Sequence, residues 1–241
     1  MADLKLNGIT PDGVGKIKLG SVDVQEIYMG STLVWPPSID PGQVEICSLI
    51  WTNTNSIETE LIAGGNIPIS ANGVEWRAAW INQTPAACYW DFDANNASYG
   101  LIYNYFAKNL VKPPVGFRLP TPSDFNTLET APCFPSPTPN GNKNRYGASP
   151  GNWDPSLLTN TTELGDSGFN SQGYGYTSVA SSGQGGIIFS LPQRAEGYWT
   201  DIASISTIGW GLQITPQGDL GSLGFSDANS WGLFIRFVKD A

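Results

Sequence analysis

Alternating apolar and polar positions predict short β-strands at the start of the chain. Residues 17–35 read IKLGSVDVQEIYMGSTLVW, a phrase that repeats itself at an offset of ten residues. The alternation stops at Gly20-Ser21 and Gly30-Ser31, where glycine allows the positive φ of a tight hairpin turn. Two copies are too few to bury a core as a solenoid does. The copies are therefore expected to pair with each other and to bury their outer faces against another chain.

Residues 1–35 are accordingly predicted to be a β-hairpin docking element. A proline-rich connector, residues 36–43, follows it, because proline cannot continue a central strand. The remainder, residues 44–241, forms the larger domain. The side chains expected at the docking contact are Ile17, Leu19, Ile27, Met29, Val34 and Trp35.

Helical patterns in the larger domain are few and short. The stretch 97–110 is predicted to be a helix, with Ser98 as its N-cap and apolar residues on one face. A second helix is predicted after Thr121, because Pro122 and Asp124 then occupy the first and third helical positions. The pattern elsewhere is that of strands and of long loops rich in glycine, proline and asparagine.

Three strands are predicted in the larger domain. Residues 44–51 and 183–191 read as strands, and residues 231–240 place Trp231, Leu233, Ile235 and Phe237 on one face. Two short helices packed on antiparallel strands, with long loops, make the domain α+β.

Composition narrows the class of partner. The net charge of the 241 residues is −9 and no basic run occurs, which disfavours nucleic acid. No stretch approaches the roughly 18 apolar residues of a membrane helix, and no secretory signal is recognisable, so synthesis in a cytoplasm without membrane insertion is expected. The cysteines, Cys47, Cys88 and Cys133, are an odd and widely spaced set, which is not typical of a disulfide framework.

The sequence contains few of the residue combinations that catalysis or metal binding requires. The chain has no histidine, which removes Ser-His and Cys-His pairs and most zinc sites. The stretch DFDANN (91–96) lacks the glycine and glutamate of an EF-hand and reads as an Asx-rich turn. A calcium site at loop carboxylates, Asp201, Asp219 or Asp227, stays open.

Paired carboxylates do not alter this assessment. Glu163/Asp166 and Glu196/Asp201 are close in sequence, but solvated loop charges explain them more simply than sugar hydrolysis does. No enzymatic activity, no cofactor and no resident metal are predicted.

Aromatic residues in small polar loops are more informative. Such loops suit binding surfaces, because rigid aromatic rings lose little entropy while glycine, serine and asparagine adapt to the partner. The candidate ligand-binding residues are Tyr146, Trp153, Tyr174, Tyr176 and Trp210.

Four ordered motifs, YGLIYNYFA, GFRLPTPSDFNTLE, GYWTD and SWGLFIRFVKD, resemble the Fibrobacter succinogenes major paralogous domain over residues 64–240. The resemblance implies a C-type-lectin-like fold, whose first and last strands pair and whose loops, here 131–182 and 193–229, project for binding and adhesion. The chain departs from the family at Gly116-Phe117-Arg118, where Gly-Trp-His is usual.

The leader GKIKLGSVDVQEIYMGSTLVWP resembles a short segment on virion appendage proteins of tailed bacteriophages. That resemblance implies a structural protein of the virion, in a head fibre, a tail fibre or a decoration. It would dock on other virion proteins through residues 1–35 and present the lectin-like domain to a glycan or protein on the host surface. A homotrimer is the expected assembly. The alternative is a bacterial cell-surface adhesin of the same domain family, and a purely structural role also remains open.

Overall fold

The computed structural model divides into two compact units, Met1–Pro41 and Gly42–Ala241. In the first unit it describes the backbone of five strands. In the second unit the described residues are 42–129, 148–149, 153–158, 164–165, 167–179, 187–201, 209–214, 220–225 and 231–241.

The first unit consists of short antiparallel strands. They are β1 (Ile9–Asp12), β2 (Lys16–Leu19), β3 (Val22–Val24), β4 (Ile27–Met29) and β5 (Thr32–Trp35). Strands β1, β2 and β3 form one sheet, and β4 pairs with β5. Leu19 pairs with Val22 and Met29 pairs with Thr32, a register that agrees with hairpins at these two places; the Gly-Ser residues between the strands lie outside the described residues.

The expectation that the two copies pair with each other is wrong among the described strands. The first copy spans β2 and β3, and the second copy spans β4 and β5. Each copy therefore forms its own hairpin, because only two residues separate its two strands.

The second unit has two α-helices and eleven strands among its described residues. The helices are α1 (Gly73–Ile81) and α2 (Pro122–Glu129). The strands are β6 (Gln43–Ile46), β7 (Leu49–Thr52), β8 (Ala87–Cys88), β9 (Ile102–Asn104), β10 (Tyr174–Val179), β11 (Ile187–Ser190), β12 (Ala195–Trp199), β13 (Gly209–Ile214), β14 (Leu220–Phe225), β15 (Trp231–Leu233) and β16 (Val238–Asp240). Short 3₁₀ helices span Trp90–Phe92 and Ala94–Tyr99. This mixture of few helices and many strands agrees with the α+β prediction.

Two sheets organise the unit. The larger has the order β14-β13-β12-β10-β15-β9-β8, with β11 added to β10, and only β10 and β12 run parallel. The smaller has the order β16-β7-β6. Val238 on β16 pairs with Trp51 on β7, so the last strand pairs with the second strand of the unit and not with the first strand, β6, as the family resemblance implied.

Residues 44–51 were predicted to form one strand, and this prediction is wrong. They form the hairpin of β6 and β7, because Cys47 and Ser48 take φ values of 51° and 63°. Positive φ at both central residues is the requirement of a type I′ hairpin turn.

The helix predicted at 97–110 is also wrong. Gly100 has a φ of 88°, which ends the 3₁₀ turn, and Ile102–Asn104 then enters the large sheet between β8 and β15. A Cβ on residue 100 would lie 2.5 Å from the Asn55 Cβ, so glycine is needed for space as well as for conformation.

Helix α2 confirms the capping prediction. The Thr121 Oγ1 accepts a hydrogen bond from the Asp124 backbone N–H at 3.1 Å, and the Asp124 carboxylate accepts one from the Thr121 backbone N–H. Helix α1 was not predicted, although Asn72 and Glu75 make a similar cap: the Asn72 side chain accepts from the Glu75 N–H, and the Glu75 carboxylate accepts from the N–H of Ala71, the residue before the N-cap.

The core is rich in aromatic side chains. Trp51 and Phe169 pack at a ring-centroid distance of 5.4 Å, and Phe125 stacks on Trp210 at 4.7 Å. The predicted strand 231–240 is split into β15 and β16. Its predicted apolar face nevertheless packs in one cluster, formed by Trp231, Leu233, Ile235 and Phe237.

The cysteines also differ from the expectation that they form no disulfide framework. Cys47 is disulfide-bonded, with a partner outside the described residues, whereas Cys88 is a buried free thiol. Burial raises the pKa of Cys88 well above its usual value, which keeps it protonated and unreactive. None of the described helices combines the length and the hydropathy that crossing a bilayer requires.

Candidate functional site

Five half-buried aromatic side chains of the second unit form two contacting groups, Tyr99 with Tyr174, and Trp90 and Phe92 with Phe189. We call these five side chains the aromatic band. The rings of Tyr99 and Tyr174 stack with centroids 4.0 Å apart and planes 9° from parallel. Half-buried aromatic rings of this kind offer apolar contact area that is already ordered before a ligand arrives.

Strand β10 brings the two parts of the band together. Tyr174 begins β10, and Gly175 follows it with a φ of 85°. A Cβ on residue 175 would lie 2.6 Å from the Trp90 ring, so this glycine allows the ring to pack directly on the strand. Trp90 and Phe92 each contact Phe189 on β11, at 5.0 and 5.1 Å between centroids.

Residues 91–98 connect Trp90 to Tyr99. Asp91 and Phe92 both take left-handed φ values, 54° and 56°, which are rare for residues other than glycine. The Asp93 carboxylate accepts a hydrogen bond from the Asn95 backbone N–H at 2.9 Å, which confirms the predicted Asx turn. Within the described ranges, no three acidic or cysteine side chains lie close enough to hold a metal ion.

A buried carboxylate anchors the loop that carries Tyr174. Glu196 on β12 is fully buried, and its Oε2 accepts hydrogen bonds from the Ser171 hydroxyl at 2.8 Å and from the Gly173 backbone N–H at 3.0 Å. The Gln172 backbone N–H also donates to Oε2. Glu196 is therefore a structural anchor. The prediction that Glu196 is a solvated charge in a loop is wrong.

Asn55 links this anchor to the other half of the stacked pair. Its Nδ2 donates to Glu196 Oε1 at 2.6 Å and to the Tyr99 carbonyl oxygen at 2.9 Å. Its Oδ1 accepts from the buried Arg236 Nε at 3.1 Å, and Arg236 also donates to the carbonyl oxygens of Phe169 and Asn170. We call Asn55, Glu196 and Arg236 the buried triad; it fixes both backbones that carry the Tyr99–Tyr174 stack.

The hydroxyl of Tyr174 is suited to donate a hydrogen bond. Burial raises the pKa of Tyr174, and the nearby Glu196 and Tyr99 raise it further, so the hydroxyl stays protonated at neutral pH. It lies 3.3 Å from the Gln172 side-chain oxygen. The band thus combines apolar ring surface with polar groups at its edge.

The predicted ligand-binding residues separate into three groups. Trp153 and Trp210 are only 2% and 7% exposed and belong to the core, so their assignment to the surface is wrong. The Trp153 indole N–H donates to the Ser171 carbonyl oxygen, and Trp210 stacks on Phe125. Tyr174 and Tyr176 are half-buried, and their role in binding stays a prediction. Tyr146 lies outside the described residues.

Sequence reasoning missed Trp90, Phe92, Tyr99 and Phe189. Three of them lie within residues 90–99 and Phe189 lies on β11, and the fold brings Tyr99 onto Tyr174 and Phe189 onto Trp90 and Phe92. The six docking residues lie on described strands of the first unit, four in β2 and β4 and two in β5, and their contact with another chain stays a prediction.

A family comparison accounts for most of the chain. The family model of the Fibrobacter succinogenes major domain matches residues 44–239, almost the whole second unit. The chain therefore belongs to this family, as its motifs indicated. No curated protein and no solved structure matched the chain significantly.

Proposed function

We propose that the chain is a bacteriophage virion appendage protein, in a head fibre, a tail fibre or a decoration. Residues 1–35 dock on other virion proteins, and the family domain, with a C-type-lectin-like fold, is presented to a glycan or protein of the host surface. The observation that carries the proposal is the division at Pro41 into a small unit of short hairpins and a second unit that matches the family over residues 44–239.

The aromatic band supports a binding role for the second unit. Its rings are half-buried, and the buried triad holds the two backbone segments that carry Tyr99 and Tyr174, so a ligand meets a surface that is ordered in advance. Preorganised surfaces of this kind lose less conformational entropy on binding.

The alternative, a bacterial cell-surface adhesin of the same family, has one observation in its favour. Cys47 is disulfide-bonded. Disulfides persist in oxidising surroundings such as the periplasm and the cell surface, whereas a chain assembled in a reducing cytoplasm acquires them only after release.

Deleting residues 1–41 tests the docking half of the proposal. A phage lacking the gene is complemented with the full chain or with residues 42–241, and purified particles are assayed for the protein by mass spectrometry. The full chain is expected in the particles and the truncated chain is not. Incorporation of both at equal levels contradicts docking through the first unit.

Two substitutions at one position test the binding half. Tyr174→Ala removes the ring that stacks on Tyr99, whereas Tyr174→Phe keeps the ring and removes only the hydroxyl. Particles carrying Tyr174→Ala are expected to adsorb to host cells more slowly, and particles carrying Tyr174→Phe are expected to adsorb nearly normally. Unchanged adsorption of the alanine variant contradicts binding by the aromatic band.

A further inference from the structure

A surface depression at the C-terminal end of α1 lies outside the aromatic band. Its volume is about 310 Å³, and Trp80, Ile81, Gln83 and Phe106 line it. We propose that this depression binds one neutral pyranose ring of a glycan. The inference rests on the proposed binding function and names the chemical class of its ligand.

The backbone of Gln83 gives the first argument. Helix α1 ends in a Schellman motif: the Gln83 N–H donates to the Trp80 carbonyl oxygen, and the Thr84 N–H donates to the Ala79 carbonyl oxygen at 2.9 Å. The residue after the C-cap Asn82 must then be left-handed, and Gln83 has a φ of 55°. Glycine is the residue usually found at this position.

A glutamine held where glycine is favoured points to a use for its side chain. Left-handed backbone is unfavourable for residues with a Cβ, and such conformations concentrate at binding sites. The Gln83 amide both donates and accepts hydrogen bonds, as the hydroxyl groups of a sugar do. Gln83 is exposed and lines the depression, so its side chain is available to a ligand there.

The other lining residues give the second argument. Trp80 and Phe106 are half-buried, and Trp80 packs against the core, so its ring is held in place. Phe106 packs on Tyr105 at 5.6 Å between centroids. Aromatic rings beside an amide suit a pyranose, whose C–H face is apolar and whose rim carries hydroxyl groups.

Size and charge restrict the ligand further. A volume of about 310 Å³ lies at the lower end of the range for small-ligand sites, about 300–1,000 Å³. Among the described residues, the four that line the depression carry no charge. A charged sugar would lack a compensating partner among them, which favours a neutral one.

The substitution Gln83→Gly tests the proposal without threatening the fold. Glycine relieves the left-handed backbone, so the melting temperature of the full chain is expected to rise by about 2–4 °C. The amide is lost at the same time, so affinity for a pyranoside is expected to fall about five- to tenfold. Stability and binding thus move in opposite directions.

Gln193→Gly is the matched control. Gln193 is also exposed and left-handed, with a φ of 62°, but it does not line the depression. This variant is expected to gain stability to a similar extent and to keep full affinity. The control separates the backbone effect of glycine from the loss of the Gln83 amide.

Binding is read by NMR during titration of the full chain with the neutral methyl glycosides of glucose, galactose and mannose at millimolar concentrations. Saturable shifts of the Trp80 indole and Gln83 side-chain signals with at least one glycoside, weakened in Gln83→Gly, are expected. No saturable shift with any of the three, or equal affinity in Gln83→Gly, overturns the proposal. Particle incorporation and the effect of Tyr174→Ala on adsorption report separately on the proposed function.

Discussion

Replacing Glu196 with glutamine should destabilise the second unit strongly, although the two side chains have the same shape. The direction of every hydrogen bond in the buried triad is set by the charges at its ends. The Glu196 carboxylate only accepts, the Arg236 guanidinium only donates, and the Asn55 amide relays between them through Nδ2 and Oδ1.

A glutamine at position 196 cannot satisfy this arrangement. If its oxygen takes the place of Oε2, its NH₂ group faces the NH₂ group of Asn55. If the Asn55 amide then turns over, its NH₂ group faces the donor Nε of Arg236. One donor pair is left buried and unsatisfied in either case, and the charge of Arg236 loses the carboxylate that balances it.

The expected loss of unfolding free energy is about 3–5 kcal/mol, the range for breaking a buried charged pair. The assay is urea unfolding of the full chain at pH 7, followed by tryptophan fluorescence. Glu45→Gln is the matched control, because Glu45 is an exposed acid in β6, and its loss should change the free energy by less than about 0.5 kcal/mol. A change below about 1 kcal/mol in Glu196→Gln would refute the directional argument.

Three further predictions concern Gly175, Lys108 and Cys47. Gly175→Ala should lower the unfolding free energy by at least about 2 kcal/mol in the same assay, because its φ is 85° and the new Cβ meets the Trp90 ring; full stability would contradict the close packing. Burial lowers the pKa of Lys108 to about 8, although the charge of Asp201 acts in the opposite direction. Between pH 8 and 10.5 the unfolded chain therefore binds more protons than the folded chain does, so the free energy of unfolding should rise with pH in this range. The wild type should gain about 1 kcal/mol over Lys108→Met between pH 7 and 9, and parallel pH profiles would contradict the lowered pKa. Cys47→Ser should lose about 2–4 kcal/mol and become insensitive to reducing agents, whereas an equal response of both proteins to reduction would contradict the disulfide.

The sequence predicts an element correctly where contacts between residues close in sequence stabilise that element. Helix α2 begins with Thr121 and Asp124, which cap each other across three residues, so the sequence alone predicts its start. The strand pairings of the first unit, β2 with β3 and β4 with β5, are equally local. Helix α1 carries the same kind of signal at Asn72 and Glu75, so sequence reasoning had the means to find it.

The predictions that failed concern residues whose structure depends on contacts far away in the sequence. Leu101 and Ile102 fit a helical pattern, but partners some 130 residues further along, in β15, draw residues 102–104 into the large sheet. Trp153 follows a loop rich in glycine, yet it is buried because Gly173 leaves room for its ring, with a hypothetical Cβ 3.2 Å from it. The charge of Glu196 likewise suggested exposure, and only Asn55 and the loop 171–173 show why it is buried.

Labelling of intact particles tests the central claim, that the first unit docks and the second unit is displayed. Val115 is fully exposed in the second unit, so Val115→Cys offers a thiol for a maleimide probe. Ile17→Cys places a thiol in the predicted docking element, and the wild-type chain gives the background. Strong labelling at position 115 with background labelling at position 17 is expected. Background labelling at position 115, or equal strong labelling at both positions, contradicts the account.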